Sequence, residues 1–445
     1  MKKHLALLTL TLAVSMPTSA LANSYYVKYD ASFTNEEKKA WMASEGLQEV
    51  RPLEQAGFSL VEPIKPFGKN NPELIEIKTV EKSMDTSQLK QKYLDQAHIP
   101  MNWKYTKGKS DIRVAVIDDA IDTTHHEFKN AIYKTTTLSG PKKADDHGTH
   151  VAGIIGARAD GKGIVGVAPG VRLIGIDVFD GDYASSIDVG NGILYAINNG
   201  ADVINLSLGQ YEHDKYIESA VKKAEARNIP VVAAAGNDGK KGLLFPATMK
   251  EAIAVGSINT FGSISAFSNY GIGLDLMAPG EGMYSSIVGN RYGFMDGTSM
   301  ATPVVSGVIA LMKSINPFMT NATVVSKVNA TATKKSGDTV LRYGNGRLNA
   351  GVIATVPAPI SKIIVPKTAQ AKQSFKFSYS EWSTAVSYVR IYKDSKLLNT
   401  FVERKIRDGV YSHTYTPQAK GTYRIEFTSK LGRHVRTTAR DVIVN

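Results

Sequence analysis

Cysteine is absent from this 445-residue chain. No disulfide can staple the fold, no thiolate can serve as nucleophile, and no metal site can draw on sulfur. Core packing or bound ions must hold the protein together. Long hydrophobic runs are almost as scarce. The run from Leu5 to Met16 follows Lys2 and Lys3 and exits through small residues, with Ala20 and Ala22 in an A-x-A spacing. That layout predicts a signal peptide over residues 1–22, cleaved after Ala22, and a secreted, extracellular protein. The run is short for a bilayer span, and no other segment reads as one. Acidic residues are thin in one region. Residues 361–445 hold 16 Lys/Arg against 6 Asp/Glu, so most of the net +12 lies there. A basic tail of this kind is drawn to polyanions such as an anionic cell-wall polymer, a membrane surface or nucleic acid, or else is a solvated face.

What is present is ordinary globular material, 43% hydrophobic and 21% charged, in a chain longer than one typical domain. Residues 23–86 read as a small α+β unit. YYVKYD, FSLVEP and ELIEIKTV alternate like strands, and NEEKKAWMAS has helical spacing. From residue 111 the pattern changes. RVAVID, VRLIGIDVF, ADVINLSL, IPVVAAAGN and EAIAVGSI are nearly continuous apolar runs, and helical stretches at 186–199 and 215–228 lie between them. Strands apolar on both faces and separated by helices predict an α/β fold, a parallel sheet covered by helices on both sides. Its chemistry is expected at the carboxyl ends of the strands. Pro357-Ala358-Pro359 reads as a stiff linker, after which about seven short strands predict a basic, immunoglobulin-like β-sandwich over 360–445.

Three stretches of the α/β region carry reactive side chains. VAVIDDAID ends a strand in Asp118, Asp119 and Asp122; DDHGTHVAGIIG opens a helix near His147; DGTSMATPVVSGVIALM opens another at Ser299. Singly they are unremarkable caps and turns. Together they supply a hydroxyl, an imidazole to take its proton and a carboxylate to orient the imidazole. VVAAAGNDG adds Asn237, an amide able to donate to an oxyanion alongside the Ser299 N–H, although AGNDG would also suit a plain turn. A G-x-S-x-G elbow is missing, which disfavours an esterase or lipase. His147 and His150 lack a third ligand for zinc, and His150 reads as a packing residue.

These blocks, with NLSLG at 205–209 and YLDQAHIPMNW at 93–103, resemble the signatures of the subtilisin family of serine endopeptidases over roughly residues 88–350. The resemblance implies a peptidase domain over 87–356 that acts through an acyl-enzyme. Ser299 would be nucleophile, His147 general base and acid, Asp118 its orienting carboxylate and Asn237 the oxyanion donor. It implies a protein or peptide substrate paired in extended form along Ser207-Leu208-Gly209 and Ala234-Ala235-Gly236. Residues 23–86 would be a propeptide that assists folding, inhibits the cleft and is removed by the enzyme itself, leaving a monomer. Glu127 and Asp160 fall where the family often binds structural calcium, although Arg158 and Lys162 are close in sequence. No organic cofactor is implied. The chain departs from the family after Asp118, where Ser or Thr and then Gly are usual and Asp119-Ala120 stand instead. A second acid would raise one pKa of the pair, and Ala120 would be strained if the turn needed positive φ. The rival reading is a catalytically weak relative that works as a surface-binding module through its basic C-terminal domain.

Overall fold

The computed structural model describes residues 25–28, 47–53, 58–63, 86–140, 144–381, 386–403 and 409–445. The expected signal peptide, the expected helix at 35–44 and the expected strand at 73–80 lie outside the described residues. The described residues fall into two compact units, one of residues 90–159 and 164–445 and the other of residues up to 89 with 160–163. In the smaller unit Tyr25–Lys28, Leu47–Leu53 and Phe58–Pro63 form an antiparallel sheet with the last strand central.

The larger unit is built on a seven-stranded sheet. Its strands are β1 (Arg113–Asp118), β2 (Ile132–Thr137), β3 (Arg172–Asp177), β4 (Val203–Leu206), β5 (Val231–Ala234), β6 (Ala252–Ile258) and β7 (Leu276–Pro279). Every pairing is parallel, in the order β7-β6-β5-β4-β1-β3-β2. After β3 the chain crosses β1 and builds outward on its other side, so the direction of winding reverses at β1. Loops on either side of such a reversal part and leave a crevice at the carboxyl ends.

Alternation along β1 shows why these runs are apolar throughout. Val114 and Val116 enter the core that contains α1 (Asp146–Gly156) and α4 (Thr298–Ile315). Ala115 and Ile117 enter the opposite core beneath α2 (Ser186–Asn198) and α3 (Lys215–Glu225). α4 is the one described helix long and apolar enough to cross a membrane, and almost all of it is buried in the core. Pro303 lies inside α4 and cannot donate to the Ser299 carbonyl four residues back; Ser207 Oγ donates to that carbonyl instead, at 2.7 Å. A hairpin, β8 (Met283–Ile287) and β9 (Arg291–Met295), packs on α1. His150 Nε2–H donates to the carbonyls of Met283 and Gly293, at 2.9 and 3.2 Å. Burial pushes its pKa down to about 4, so it is a neutral packing residue.

Residues 360–445 form two sheets. One joins Ile360–Ile364, Phe375–Glu381 and Gly409–Tyr415; the other joins Thr368–Ala369, His434–Val444, Gly421–Leu431, Val386–Lys393 and Lys396–Glu403. Phe375, Phe377 and Tyr379 of the first share a single core with Val389, Ile391, Ile425 and Phe427 of the second. Sheet packed on sheet through one core is a sandwich.

Candidate active site

The carboxyl end of β1 carries Asp118, which is completely buried. Its Oδ1 accepts a hydrogen bond from His147 Nδ1 at 2.6 Å and another from the Asp119 N–H at 2.9 Å. Its Oδ2 accepts none among the described residues. His147 sits in the first turn of α1, whose N-cap Asp145 accepts the His147 N–H. Gly148 lets this turn press onto the β1 end, since a Cβ there would lie 2.2 Å from the Asp119 carbonyl oxygen. The charge of Asp118 raises the His147 pKa to about 9, against the opposing effect of burial. With Nδ1 donating to Asp118, Nε2 is the basic nitrogen of the neutral ring.

Asp119 is the unusual neighbour. Its Oδ2 lies 4.0 Å from His147 Nδ1. Burial, then repulsion from Asp118, raises its pKa to about 7. An ionised acid cannot donate to the open Oδ2 of Asp118, as a hydroxyl at this position could. Ala120 is not in the left-handed region, so the strain that positive φ would impose is absent. It is buried, and its carbonyl accepts the Asp145 N–H at 3.0 Å, joining the β1 end to the start of α1. Asp122 ties the same region to the hairpin, accepting from Thr124 and from the Gly289 N–H.

Ser299 lies in the first turn of α4, against the end of the next strand along. β4 pairs with β1 through Ile117 and Leu206, and the residue after β4 is Ser207. Ser299 Oγ donates to the Ser207 carbonyl at 2.9 Å, and Ser207 Oγ donates to the Ser299 carbonyl at 2.7 Å. The structure thus joins Asp118 to His147 directly and places the Ser299 hydroxyl at the end of the adjacent strand, turned to Ser207. Asn237 is oriented by a contact that sequence reading missed. Its Oδ1 accepts both the Thr298 N–H and the Thr298 hydroxyl, at 2.8 and 2.9 Å. The amide nitrogen is therefore its outward, donating end. Thr298, beside the serine, is the residue that decides which way this amide faces.

The two expected substrate edges differ. Among the described residues nothing hydrogen-bonds the main chain of Leu208 or Gly209, which leaves these groups available. At Ala235 and Gly236 the main chain is already engaged. The Ala235 N–H donates to Val255 and its carbonyl accepts from Leu244, while the Gly236 N–H donates to Thr298 Oγ1 and its carbonyl accepts from Asn269. Ala234 is paired within the sheet. The stretch 234–236 is thus a fixed wall more than a free edge. Gly236, at φ +111, has no space for a side chain: a Cβ would lie 2.4 Å from Asn269 Nδ2.

The expected calcium ligands are less suited to a cation. Glu127 is fully buried, and its Oε1 accepts the Ile164 N–H and the Tyr292 hydroxyl, both at 2.7 Å. Among the described residues the groups named on it are hydrogen-bond donors, and His126 Nε2 lies 3.5 Å away. Arg158 turns its guanidinium onto the carbonyls of Pro169 and Asn130. Asp160 is exposed and accepts the Lys162 N–H. The donor set at Glu127 does not fit a hard cation that needs six or more oxygens.

A parallel sheet bearing an Asp–His pair, a helix-opening serine and an oriented amide along one edge has the equipment of a serine hydrolase. Comparison with known proteins narrows this class. The model of the subtilase family, Peptidase_S8, matches residues 109–346. The chain is 39% identical over 255 residues to a thermophilic serine proteinase of Bacillus sp. (strain AK1), covering 56% of this chain and 63% of that protein. It therefore spans under two thirds of that relative's length. It is also 39% identical over 256 residues to a subtilisin of Bacillus pumilus, covering 55% of this chain and 91% of that one. Among solved structures, the prenylagaramide maturation protease PagA matches with a TM-score of 0.54 at 33% identity, covering 58% of this chain and 97% of that chain. The chain belongs to the subtilase family.

Proposed function

We propose that this protein is a secreted serine endopeptidase, made as a precursor that removes its own N-terminal segment. The observation that carries the reading is the 2.6 Å hydrogen bond from His147 to buried Asp118, which leaves Nε2 as the base. On substrate binding the Ser299 hydroxyl turns from the Ser207 carbonyl to His147 Nε2. It attacks the scissile carbonyl as the ring takes its proton, and the proton passes to the leaving amine. Water then hydrolyses the acyl-enzyme by the same relay. The Asn237 amide and the N–H of Ser299, at the positive end of α4, hold the developing oxyanion. Protein or peptide substrate pairs in extended form with Leu208 and Gly209, while 234–236 walls the adjacent pocket. The mature enzyme acts as a monomer, and its basic C-terminal domain attracts anionic wall polymer. Calcium at Glu127 and Asp160 is left out of this reading because the donors around Glu127 disfavour it.

The test compares the full chain with Ser299→Ala. The parent is expected to lose a segment ending near residue 86 over time and to cleave an unstructured protein, and the variant to do neither. Equal loss of the segment by both, or no cleavage by the parent, overturns the proposal.

A further inference from the structure

The hairpin that joins the last two long strands of the sandwich, Gly421–Leu431 and His434–Val444, docks on the peptidase sheet. It meets the amino ends of the strands, opposite the edge that carries His147. His434 is 8% exposed and lies between two carboxylates: Nδ1 is 3.1 Å from Asp111 Oδ2, and Nε2 is 2.8 Å from Asp202 Oδ1. Arg433 pairs with Asp202 at 2.5 Å and donates to the Asp111 carbonyl at 3.1 Å. Arg436 pairs with Asp111 at 2.8 Å and donates to the Ser314 carbonyl at 3.1 Å. Gly200, at φ +68, approaches the Arg433 guanidinium closely: a Cβ there would lie 2.7 Å from it.

The residues gripped are far in sequence but share one property. Asp111 stands two residues before β1, which ends in Asp118. Asp202 immediately precedes β4, which leads into Ser207. Ser314 lies at the far end of α4, which begins at Thr298 beside Ser299. We propose that the C-terminal sandwich is an intramolecular clamp, in which Arg433, doubly hydrogen-bonded His434 and Arg436 hold together the distal ends of the three elements that carry Asp118, Ser207 and Ser299, and which loosens when His434 loses its proton. Both ring nitrogens face carboxylates, so both must carry hydrogen for the contacts to be favourable. In the neutral ring one lone pair would confront a carboxylate oxygen.

The surrounding charges favour the closed state at neutral pH. Burial alone would lower the His434 pKa, but hydrogen bonds to Asp111 and Asp202 outweigh it and the net shift is upward, against repulsion from Arg433. Asp111 is held well below the usual carboxylate range by His434 and Arg436 despite its partial burial. Arg113, at the start of β1, donates its N–H to Asp202 at 2.8 Å. Lys109 and Lys313 flank the cluster, and burial lowers the pKa of both, that of Lys313 to about 8. A group with a raised folded pKa contributes stability that is full below its unfolded value, near 6.5, and is lost as pH rises through the folded value.

The experiment uses the full chain in a Ser299→Ala background, so that self-cleavage does not interfere, and is independent of the catalytic reading. Thermal unfolding midpoints are compared for His434, His434→Gln and His434→Lys from pH 6 to pH 10. At pH 6 the Gln variant is expected to unfold about 2 °C or more below its parent, with the gap closing toward pH 10. The Lys variant, still cationic at pH 9, should hold its midpoint relative to the parent there better than at pH 6. Because His147 titrates equally in all three proteins, it cancels from these differences. A gap that is absent, or constant across the pH range, overturns the clamp.

Discussion

At the scale of single residues the decisive group is Asp119. In the proposed mechanism His147 must be neutral to accept the Ser299 proton, and its pKa of about 9 would place that condition at alkaline pH. Above about pH 7 Asp119 is ionised and adds a second negative charge 4.0 Å from the imidazole, which favours the imidazolium. Removing the charge with Asp119→Asn is expected to move the acid limb of the kcat/KM profile to lower pH by up to about one unit, a limit set by partial solvent screening. The same variant should gain stability above pH 4, because a carboxyl with a raised folded pKa disfavours folding wherever the unfolded chain ionises it. Thermal unfolding of inactivated protein at pH 8 checks the second outcome. An unmoved profile would show that Asp119 does not sense His147. The acid next to Asp118 was visible in VAVIDDAID, but its proximity to His147 and its burial were not.

At the scale of elements, the site depends on how β1, α1 and α4 meet. Gly148 is the contact point between α1 and the β1 end. Replacing it with Ala sets a methyl 2.2 Å from the Asp119 carbonyl oxygen, and neither backbone can yield cheaply. Gly148→Ala is expected to cost about 1–3 kcal/mol by overpacking and to lower kcat more than it raises KM, since the displaced turn carries His147. Denaturant unfolding and steady-state kinetics on one peptide substrate measure the two effects. The strands and helices themselves were legible from apolar periodicity: the expected helices at 186–199 and 215–228 appear at Ser186–Asn198 and Lys215–Glu225. The register of Thr298 against Asn237 was not, because the two are separated by 61 residues and meet only through folding.

At the scale of the whole molecule, the described basic residues of the tail include two contrasting groups. Arg433 and Arg436 turn inward to Asp202 and Asp111, while Lys372, Lys376, Lys396, Lys420, Arg424, Lys430 and Arg440 remain exposed on the sandwich. The second group faces solvent and can meet a polyanion. Binding of the full chain to anionic wall polymer is therefore expected to weaken steeply from low to high salt, as measured by co-sedimentation. Retention that ignores salt would rule out an electrostatic role. Pro357-Ala358-Pro359 reads as a stiff linker, and the hairpin beyond it returns to the peptidase sheet. Asn316 Nδ2 also donates to the Pro357 carbonyl at 3.1 Å. A linker's stiffness says nothing of what the domain behind it will touch.

Local pattern by itself determined the parallel α/β core, the strand end that bears Asp118 and the helix starts that bear His147 and Ser299. Apolar runs bounded by turn residues can be satisfied in few ways, and the candidate catalytic groups follow at their ends. Tertiary structure alone decided that Ala120 is unstrained, that Glu127 faces hydrogen-bond donors, that Thr298 orients Asn237 and that His434 lies between Asp111 and Asp202. Each of these is set by distance and direction between residues remote in sequence, and burial then fixes what their charges do.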